Sequence, residues 1–516
     1  MDTYNAAAWL LDRHVDAGDD DRVAVRCQGQ STTYRQLLTD AWRVQHALEA
    51  LALVTGERVA LVMNDEPAFP AWFLGAMRSG LVPVPLSTML TADDLAAIVA
   101  DAEAAAVVVS EQYAPHLAAI TAQAPSLRHA IVVGDAAVDV AVPIHHWADF
   151  TDTSDAPCSP TGPDTLAFWL YSSGTTGTPK GVMHRHASLQ ATAGTYGGGI
   201  LGMKPDDRCL SVAKLFFAYG LGNSLTFPFS VGATAILNPD RPTPAGVLEL
   251  VRAEQPTLFF ASPGFVAALL DTDAPDDAFA SVRYSVTAGE SLPADLQRRF
   301  SARFGHPVLD GIGSTEALHI FLSNSHRALR PGTSGMPVPG YETKLLDDAG
   351  AEVTAPDTPG YLHVRGPSIA TGYWQRPEAT SLAFLGDWLR TGDVYTRSAD
   401  GYWTFLGRNN DMIKASGIWV SPAEVESVLI EHPDVLEAAV VGARDDAGLE
   451  TTVAFVVPRA GHTIDAAAID AHCRSRMATF KRPRRLVVLD ELPKTATGKI
   501  QRYALRERLA AEPPPA

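Results

Sequence analysis

The sequence has few cysteines, no excess of basic residues and no long apolar run. No Cys-x-x-Cys spacing occurs among Cys27, Cys158, Cys209 and Cys473, which argues against a zinc site or a disulfide framework. The formal net charge of −18 argues against nucleic acids and membrane surfaces as partners, because a negative surface repels phosphate groups. No apolar run is long enough to cross a bilayer, and no basic segment precedes an apolar one near Met1, so we expect a soluble, cytoplasmic protein.

The chain alternates short apolar runs with amphipathic stretches. Residues 58–63 and 105–109 are rich in Val, Leu and Ala, whereas residues 93–101 form an Ala-rich amphipathic segment. Alternation of this kind predicts an α/β fold with mostly parallel sheets covered by helices. Because 516 residues are too many for one hydrophobic core, we expect more than one domain.

Residues 171–181 contain the densest group of hydroxyls and glycines in the chain. Glycine lets backbone N–H groups approach an anion, hydroxyls add donors and a lysine adds charge, so this segment is typical of a phosphate-binding loop. It lacks the Gly-Lys-Ser/Thr ending of the common NTPase loop, which disfavours an ordinary kinase or ATPase. The alternative is a flexible Gly/Thr linker, but the apolar run 166–170 before it favours a rigid strand-to-loop site. The candidate phosphate ligands are Ser172, Ser173, Gly174, Thr175, Thr176, Gly177 and Lys180.

Two further stretches combine small residues with aromatic or acidic ones. Residues 214–222 are aromatic with interleaved Ala and Gly, which suits a flat apolar ligand, although core packing is the usual fate of Phe and Tyr. In residues 310–320, Glu316 follows a hydroxyl pair and is a candidate Mg²⁺ ligand, since that ion prefers hard oxygen donors. A lone glutamate is otherwise a solvated charge, and His319 alone is more often a structural histidine.

Two more stretches near the C-terminus present single functional side chains. Asp393 ends a Thr-Gly-Asp segment and could accept hydrogen bonds from ribose hydroxyls, with Arg408 following downstream; the alternative is an ordinary turn. Residues 493–500 form a Gly/Thr loop with Lys499, and an exposed lysine is otherwise a solubilising charge.

In this order the five stretches resemble the motifs of the adenylate-forming superfamily, which includes acyl-CoA ligases, luciferases and peptide-synthetase adenylation domains. Within it, residues 214–223, 311–320 and 416–422 most resemble benzoate-CoA and hydroxybenzoate-CoA ligases. The resemblance implies a large N-terminal domain, 1–409, and a small mobile α+β domain, 410–516, that carries the catalytic lysine. Asn410 occupies the hinge position, where many relatives have Asp or Lys.

The resemblance also assigns roles at an ATP site. It implies that Lys499, Glu316 and Thr176 are catalytic in adenylation, that Glu316 and Thr176 hold Mg²⁺, and that Lys414 is catalytic in thioester formation. Ile312 occupies a position where many relatives stack a tyrosine on the adenine base. Besides the phosphate ligands and Lys499, the implied ATP-binding residues are Ala288, Gly289, Glu290, Asp310, Gly311, Ile312, Thr315, Asp393 and Arg408.

An aryl pocket and a CoA path follow from the same resemblance. Ala and Gly would leave room for a ring, while Tyr219 and Ile320 would form apolar walls. Amino-acid-activating relatives have an Asp in the aromatic segment, whereas Phe217 and Ala218 offer no partner for an ammonium group. Ser416 and Gly417 are implied to contact CoA. The implied aryl-binding residues are Phe217, Ala218, Tyr219, Gly220, Gly313, His319 and Ile320.

The implied reaction is ATP-dependent conversion of an aromatic carboxylate to an aryl-AMP and then, with CoA, to an aryl-CoA. ATP, Mg²⁺ and CoA are expected as co-substrates with no tightly bound prosthetic group, and the expected assembly is a monomer or homodimer. One alternative is an aryl-adenylating enzyme that loads the phosphopantetheine arm of a carrier protein. Another is a catalytically silent, nucleotide-binding regulatory protein.

Overall fold

The computed structural model of the chain describes residues 3–172, 179–415, 418–444, 450–494 and 500–511. The strands are β1 (Val23–Cys27), β2 (Gln30–Thr33), β3 (Arg58–Val62), β4 (Val82–Pro85), β5 (Ala104–Ser110), β6 (His129–Val133), β7 (Ile144–His146), β8 (Leu166–Ser172), β9 (Lys180–Arg185), β10 (Arg208–Ser211), β11 (Thr234–Leu237), β12 (Leu258–Ala261), β13 (Tyr284–Thr287), β14 (Val308–Gly313), β15 (Ile320–Ser323), β16 (Met336–Pro337), β17 (Glu342–Leu346), β18 (Gly360–Arg365), β19 (Gly372–Tyr373), β20 (Phe384–Leu385), β21 (Trp388–Arg397), β22 (Trp403–Arg408), β23 (Ile413–Ala415), β24 (Ile418–Val420), β25 (Val435–Arg444), β26 (Glu450–Pro458) and β27 (Arg485–Val488).

Several helices begin where the sequence supplies a capping side chain. Thr33 and Gln36 form a capping box at the longest helix, and Ser262 caps a helix whose first residue is Pro263. The α-helices are α1 (Ala6–Leu10), α2 (Asp12–Asp16), α3 (Tyr34–Ala50), α4 (Ala68–Arg78), α5 (Ala92–Asp101), α6 (Leu117–Gln123), α7 (His186–Thr192), α8 (Ala218–Leu221), α9 (Phe227–Phe229), α10 (Pro244–Glu254), α11 (Pro263–Leu270), α12 (Ala294–Phe304), α13 (Pro377–Ala383), α14 (Pro422–Ile430), α15 (Ala466–Arg476) and α16 (Arg502–Ala511).

Two large sheets with helices around them confirm the predicted α/β class. The nine-stranded sheet has the order β16-β15-β14-β13-β12-β10-β11-β1-β2, and its central strands are parallel. The five-stranded sheet β4-β3-β5-β6-β7 is parallel throughout. Every residue of β5 is buried, as expected for a parallel strand covered on both faces. The predicted strands at 58–63 and 105–109 and the predicted helix at 93–101 correspond to β3, β5 and α5.

Two further sheets complete the larger region and are antiparallel. The sheet of β17, β18, β20, β21 and β22 brings the Thr-Gly-Asp segment of β21 beside β22. The three-stranded sheet β19-β9-β8 places β9 between the strand before the predicted phosphate loop and a strand about two hundred residues later in the chain. Neither antiparallel sheet follows from the predicted strand-helix alternation.

A separate group of strands and helices begins at β23. Strand β25 pairs antiparallel with β26, which pairs parallel with β27. Their apolar side chains form two clusters made only of residues between Ile413 and Leu509. Among the helices of the described ranges, none is long and apolar enough to span a bilayer.

Candidate active site

The strand before the predicted phosphate loop and the strand after it are hydrogen-bonded neighbours. β8 ends at Ser172 and β9 begins at Lys180, and these two residues face each other in antiparallel register. The predicted ligands Ser173, Gly174, Thr175, Thr176 and Gly177 lie outside the described residues, as do Ser416, Gly417 and Lys499. The strand-to-loop arrangement predicted from the apolar run 166–170 is therefore present up to Ser172.

Glu316 and Lys180 come together around a tyrosine that the sequence gave no reason to select. The phenol of Tyr373 donates a hydrogen bond to Oε1 of Glu316 at 2.9 Å. The ammonium of Lys180 lies 5.2 Å from the centroid of the same ring, within the range of a cation–π contact. The N–H of Ala370 donates to the Glu316 carbonyl at 2.8 Å, which fixes the backbone of the loop. A carboxylate and a cation predicted to serve one nucleotide thus share one neighbour.

Asp393 and Arg408 form an ion pair across β21 and β22. The two residues are direct partners in the antiparallel register, and Nε of Arg408 lies 3.0 Å from Oδ1 of Asp393. The charge of Asp393 raises the pKa of Arg408, and the charge of Glu316 adds to the effect. A further bond from Nη1 to the Thr391 carbonyl, at 3.1 Å, orients the guanidinium. The electrostatic coupling places this pair in the neighbourhood of Glu316.

The predicted ATP-binding residues of this region lie at the carboxyl end of β13, where parallel sheets commonly bind ligands, or within the neighbouring strand β14. Ala288 and Gly289 come directly after β13, and Gly289 adopts a φ of +97°, which favours glycine. Asp310 is 5% exposed and accepts a hydrogen bond from Oγ1 of Thr287 at 2.9 Å. Burial raises the pKa of Asp310 well above its usual value. Its role in ATP binding stays a prediction.

The other predicted ATP-binding residues in and just after β14 have neighbours that differ from those of Asp310. A Cβ on Gly311 would lie 2.8 Å from both the Ile320 side chain and the Leu322 carbonyl, so pairing of β14 with β15 explains this glycine. Ile312 is partly buried, which leaves part of its side chain available to a base. The Thr315 carbonyl accepts a hydrogen bond from Nε2 of the buried His184 at 2.8 Å.

Glu290 marks where the C-terminal group of elements contacts the larger region. Burial raises its pKa, while the nearby charges of Lys494 and Arg502 and a hydrogen bond to the backbone of Ile500 act in the opposite direction. Lys494 and Ile500 flank the segment that contains Lys499. The residues on either side of the predicted catalytic lysine therefore lie close to Glu290, a predicted ATP-binding residue.

The predicted aryl-binding segment forms α8 and a π-helical stretch from Gly222 to Thr226. Tyr219 donates from its phenol to the Val286 carbonyl at 3.0 Å, and its ring centroid lies 5.5 Å from that of His319. Tyr196 and Phe227, which the sequence did not single out, place their rings 5.1 and 4.5 Å from His319. Ile320 is buried beside them, whereas Phe217 and Ala218 are partly buried.

His319 is held as a neutral ring in this aromatic cluster. It is 3% exposed, and burial lowers its pKa to about 3. Nε2 lies 3.2 Å from Oδ1 of Asn223, which can only accept, so Nε2 donates. Asn223 is fully buried on the π-helical stretch, a departure from α-helix that is common at functional sites. Asn223 ends the stretch 214–223 that carried the family resemblance, but nothing in the sequence gave it a role.

Two predicted pocket glycines have packing reasons of their own. A Cβ on Gly220 would lie 2.0 Å from the Lys214 carbonyl, and one on Gly313 would lie 2.5 Å from the His319 carbonyl. Close backbone contacts therefore require glycine at both positions. Space for an aromatic ring beside them stays a prediction.

The predicted hinge lies in the turn after β22. Nη2 of Arg506 donates to the Asn410 carbonyl at 3.4 Å and to Oδ1 of Asp411 at 2.5 Å, so α16 contacts the hinge directly. Lys414 lies in β23 opposite Trp419, and its side chain is outside the described part of the chain.

The comparisons with known proteins agree along the whole chain. The AMP-binding enzyme family matches residues 11–374, and the AMP-binding enzyme C-terminal domain matches residues 424–499. The benzoate–CoA ligase of Thauera aromatica is 45% identical over 508 residues, covering 98% of this chain and 96% of that protein. The solved benzoate CoA ligase from Burkholderia xenovorans LB400 superposes with a TM-score of 0.90 at 42% identity, covering 98% of this chain and 100% of that one. The anthranilate CoA ligase AuaEII, solved with anthranoyl-AMP, gives 0.93 at 37% identity, covering 99% and 98%.

Proposed function

We propose that this chain, which belongs to the AMP-binding enzyme family, joins an aromatic carboxylate to coenzyme A at the expense of ATP. The family resemblance predicted from the ordered motifs is confirmed by the matches to both family domains. A benzoate–CoA ligase 45% identical over nearly the full length of both chains supports an aryl acid as the substrate.

One observation supports the nucleotide half of this function. Tyr373 brings Glu316 and Lys180 together, and the pair of Asp393 and Arg408 is coupled electrostatically to Glu316. A carboxylate and ATP are both anions, so a site that joins them needs cations to reduce their repulsion. Shortly after Glu316 in the chain, the neutral His319 lies among aromatic rings. This apolar cluster suits the uncharged ring of an aryl acid.

In the first half-reaction, an oxygen of the aryl carboxylate attacks the α-phosphorus, the bond to pyrophosphate breaks and an aryl-AMP forms. Lys180 and Thr176 support the departing phosphates, and Lys499 stabilises charge at the α-phosphate and the substrate carboxylate. Asp393 binds the ribose hydroxyls, beside Arg408. Ala288, Gly289, Glu290, Asp310, Gly311, Ile312 and Thr315 complete the nucleotide site.

The residues present are suited to bind the Mg²⁺ that accompanies ATP. Oε1 of Glu316 accepts the bond from Tyr373, while Oε2 accepts no hydrogen bond from any residue in the described ranges. A carboxylate oxygen is a hard donor of the type that Mg²⁺ prefers, and Thr176 supplies a hydroxyl. When bound, Mg²⁺ neutralises phosphate charge.

In the second half-reaction, the thiol sulfur of CoA attacks the acyl carbon, AMP leaves and the thiol proton is released. The C-terminal domain, 410–516, turns about Asn410 between the two half-reactions and exchanges Lys499 for Lys414 at the site. Ser416 and Gly417 line the path of the pantetheine arm. ATP and CoA are cytoplasmic metabolites, which supports action in the cytoplasm, and a monomer or homodimer suffices for this chemistry.

A pyrophosphate-release assay tests the proposal on a panel of benzoate, hydroxybenzoates, aminobenzoates and cinnamates, each with ATP and CoA. We expect pyrophosphate with at least one benzoate and with no acid-free control. Pyrophosphate with none of these acids would favour a silent nucleotide-binding protein instead. Direct competition between free CoA and a phosphopantetheinylated carrier protein distinguishes the two possible thiol acceptors.

A further inference from the structure

Tyr373 is held in one orientation beside Glu316. It lies in β19 opposite Val182 of β9, and it is 9% exposed. Its N–H donates to Oγ1 of Thr380 at 3.0 Å, and its ring packs edge-to-face on Phe384 with centroids 5.4 Å apart. A side chain fixed by strand pairing, a backbone bond and a ring contact can direct its hydroxyl to one place.

The preceding residue, Gly372, allows β19 to pack closely against α13. Gly372 has a φ of +141°, and a Cβ there would lie 2.8 Å from Cγ2 of Thr380. Any other residue would be strained at this φ and would crowd the Thr380 side chain. Glycine at this position therefore leaves room for the side chain that accepts the Tyr373 N–H.

The phenol can serve only as a hydrogen-bond donor to this carboxylate. An ionised carboxylate has acceptors only, so the bond runs from the Tyr373 hydroxyl to Glu316. The bond occupies Oε1, and a fixed Oε1 also fixes the direction of Oε2. The ammonium of Lys180 lies over the ring of the same tyrosine, so ring and hydroxyl contact the two charged groups separately.

We infer that Tyr373 is a positioning residue that orients the Glu316 carboxylate to bind the divalent cation of the nucleotide. This inference depends on the proposed function, because it assumes that Glu316 is a ligand of that cation. Groups that hold a metal ligand in place commonly contribute about tenfold or more to metal affinity. A tyrosine that only filled the core would contribute to stability and not to the effect of the metal on ATP binding.

Calorimetric titration of ATP without any acid, in excess Mg²⁺ and separately in EDTA, measures the gain in affinity that the metal provides. Tyr373→Phe keeps the ring over Lys180 and removes only the hydroxyl. We expect this variant to bind ATP in EDTA like the wild type. The increase in ATP affinity that Mg²⁺ provides should be about tenfold smaller than in the wild type. A gain equal to that of the wild type would overturn the inference.

Tyr361→Phe is the matched control, since the Tyr361 phenol donates to the carboxylate of Asp348, which lies in the turn after β17 and is not a predicted metal ligand. We expect it to keep the full gain from Mg²⁺, and a loss equal to that of Tyr373→Phe would overturn the specific role of Tyr373. A wild-type protein that binds ATP equally well in both buffers would contradict the metal site itself, and with it both the inference and that part of the proposed function. The inference alone fails when the wild type shows the gain and Tyr373→Phe retains it.

Discussion

Nη1 of Arg459 lies 2.9 Å from Oδ1 of Asp271 and connects the region after β26 to the end of α11. The two side chains are 17% and 37% exposed, so water screens the pair only in part. This ion pair joins the C-terminal group of elements to the larger region in the arrangement where Lys494 and Ile500 lie near Glu290. We propose that this ion pair favours the orientation in which Lys499 serves adenylation.

Asp271→Asn should slow adenylation and spare thioester formation. Partly exposed ion pairs contribute about 0.2–1 kcal/mol, so we expect the rate of aryl-AMP formation to fall by a factor of about 1.4 to 5. Conversion of supplied aryl-AMP with CoA should be unchanged or faster, because that step uses another orientation. Single-turnover measurements of each half-reaction provide the comparison.

Asp400→Asn is the control for this prediction, since it breaks an ion pair with Arg330 that lies wholly within the larger region. It should leave both half-reactions unchanged. Equal slowing of both half-reactions by Asp271→Asn would show that the ion pair has no preference for one orientation.

The two candidate catalytic lysines should separate the half-reactions more strongly. Lys499→Ala should slow aryl-AMP formation by about a hundredfold or more. It should leave the conversion of supplied aryl-AMP to aryl-CoA near the wild-type rate. Lys414→Ala should show the reverse pattern. Rapid-quench assays of the two half-reactions test this, and equal loss of both in either variant would remove the assigned division of roles.

The structure explains why some features were predictable and others were not. β3, β5 and α5 depend on local apolar patterns, and the sequence showed them within one or two residues. The bond between Tyr373 and Glu316 spans 57 residues and depends on the pairing of a two-residue strand with β9, for which no local pattern exists. Asn223 was inside a noticed stretch, yet its contact with His319 requires a π-helical turn that composition does not predict.

Substrate choice should depend on the absence of a negative charge in the aromatic segment. Ala218→Asp should lower kcat/KM for benzoate by about a hundredfold relative to Ala218→Asn, because the aspartate places an unpaired charge near the substrate anion. The two variants differ in charge and hardly in size, so steady-state kinetics of the pair isolates the electrostatic effect. Similar values for both would indicate that Ala218 lies away from the substrate.

A buried histidine should make stability sensitive to acid. His186 is 1% exposed, burial lowers its pKa to about 4, and Nδ1 accepts a hydrogen bond from the Ala6 N–H at 3.1 Å. The unfolded chain binds this proton near pH 6.5, so the contribution of neutral His186 is complete above that pH and is lost as the pH falls towards 4. As the pH falls through this window, the unfolding free energy of the wild type should decrease relative to that of His186→Asn by up to about 1.4 kcal/mol per pH unit.

Urea denaturation of both proteins at pH 7.5, 6 and 5 measures that difference. The asparagine can keep the bond from Ala6 without titrating, so the comparison removes the opposing effect of groups such as Asp65, whose pKa is raised to about 6 by burial. A difference that stays constant with pH would show that His186 remains neutral in the unfolded chain as well or charges freely in the folded one.

The most direct test of the proposed activity is the stoichiometry of the complete reaction. Purified protein with benzoate, ATP and CoA, analysed by chromatography, should form aryl-CoA, AMP and pyrophosphate in equal amounts, with no aryl-CoA when either ATP or CoA is omitted. Formation of ADP and phosphate in place of AMP and pyrophosphate, or of AMP without any thioester, would contradict the account.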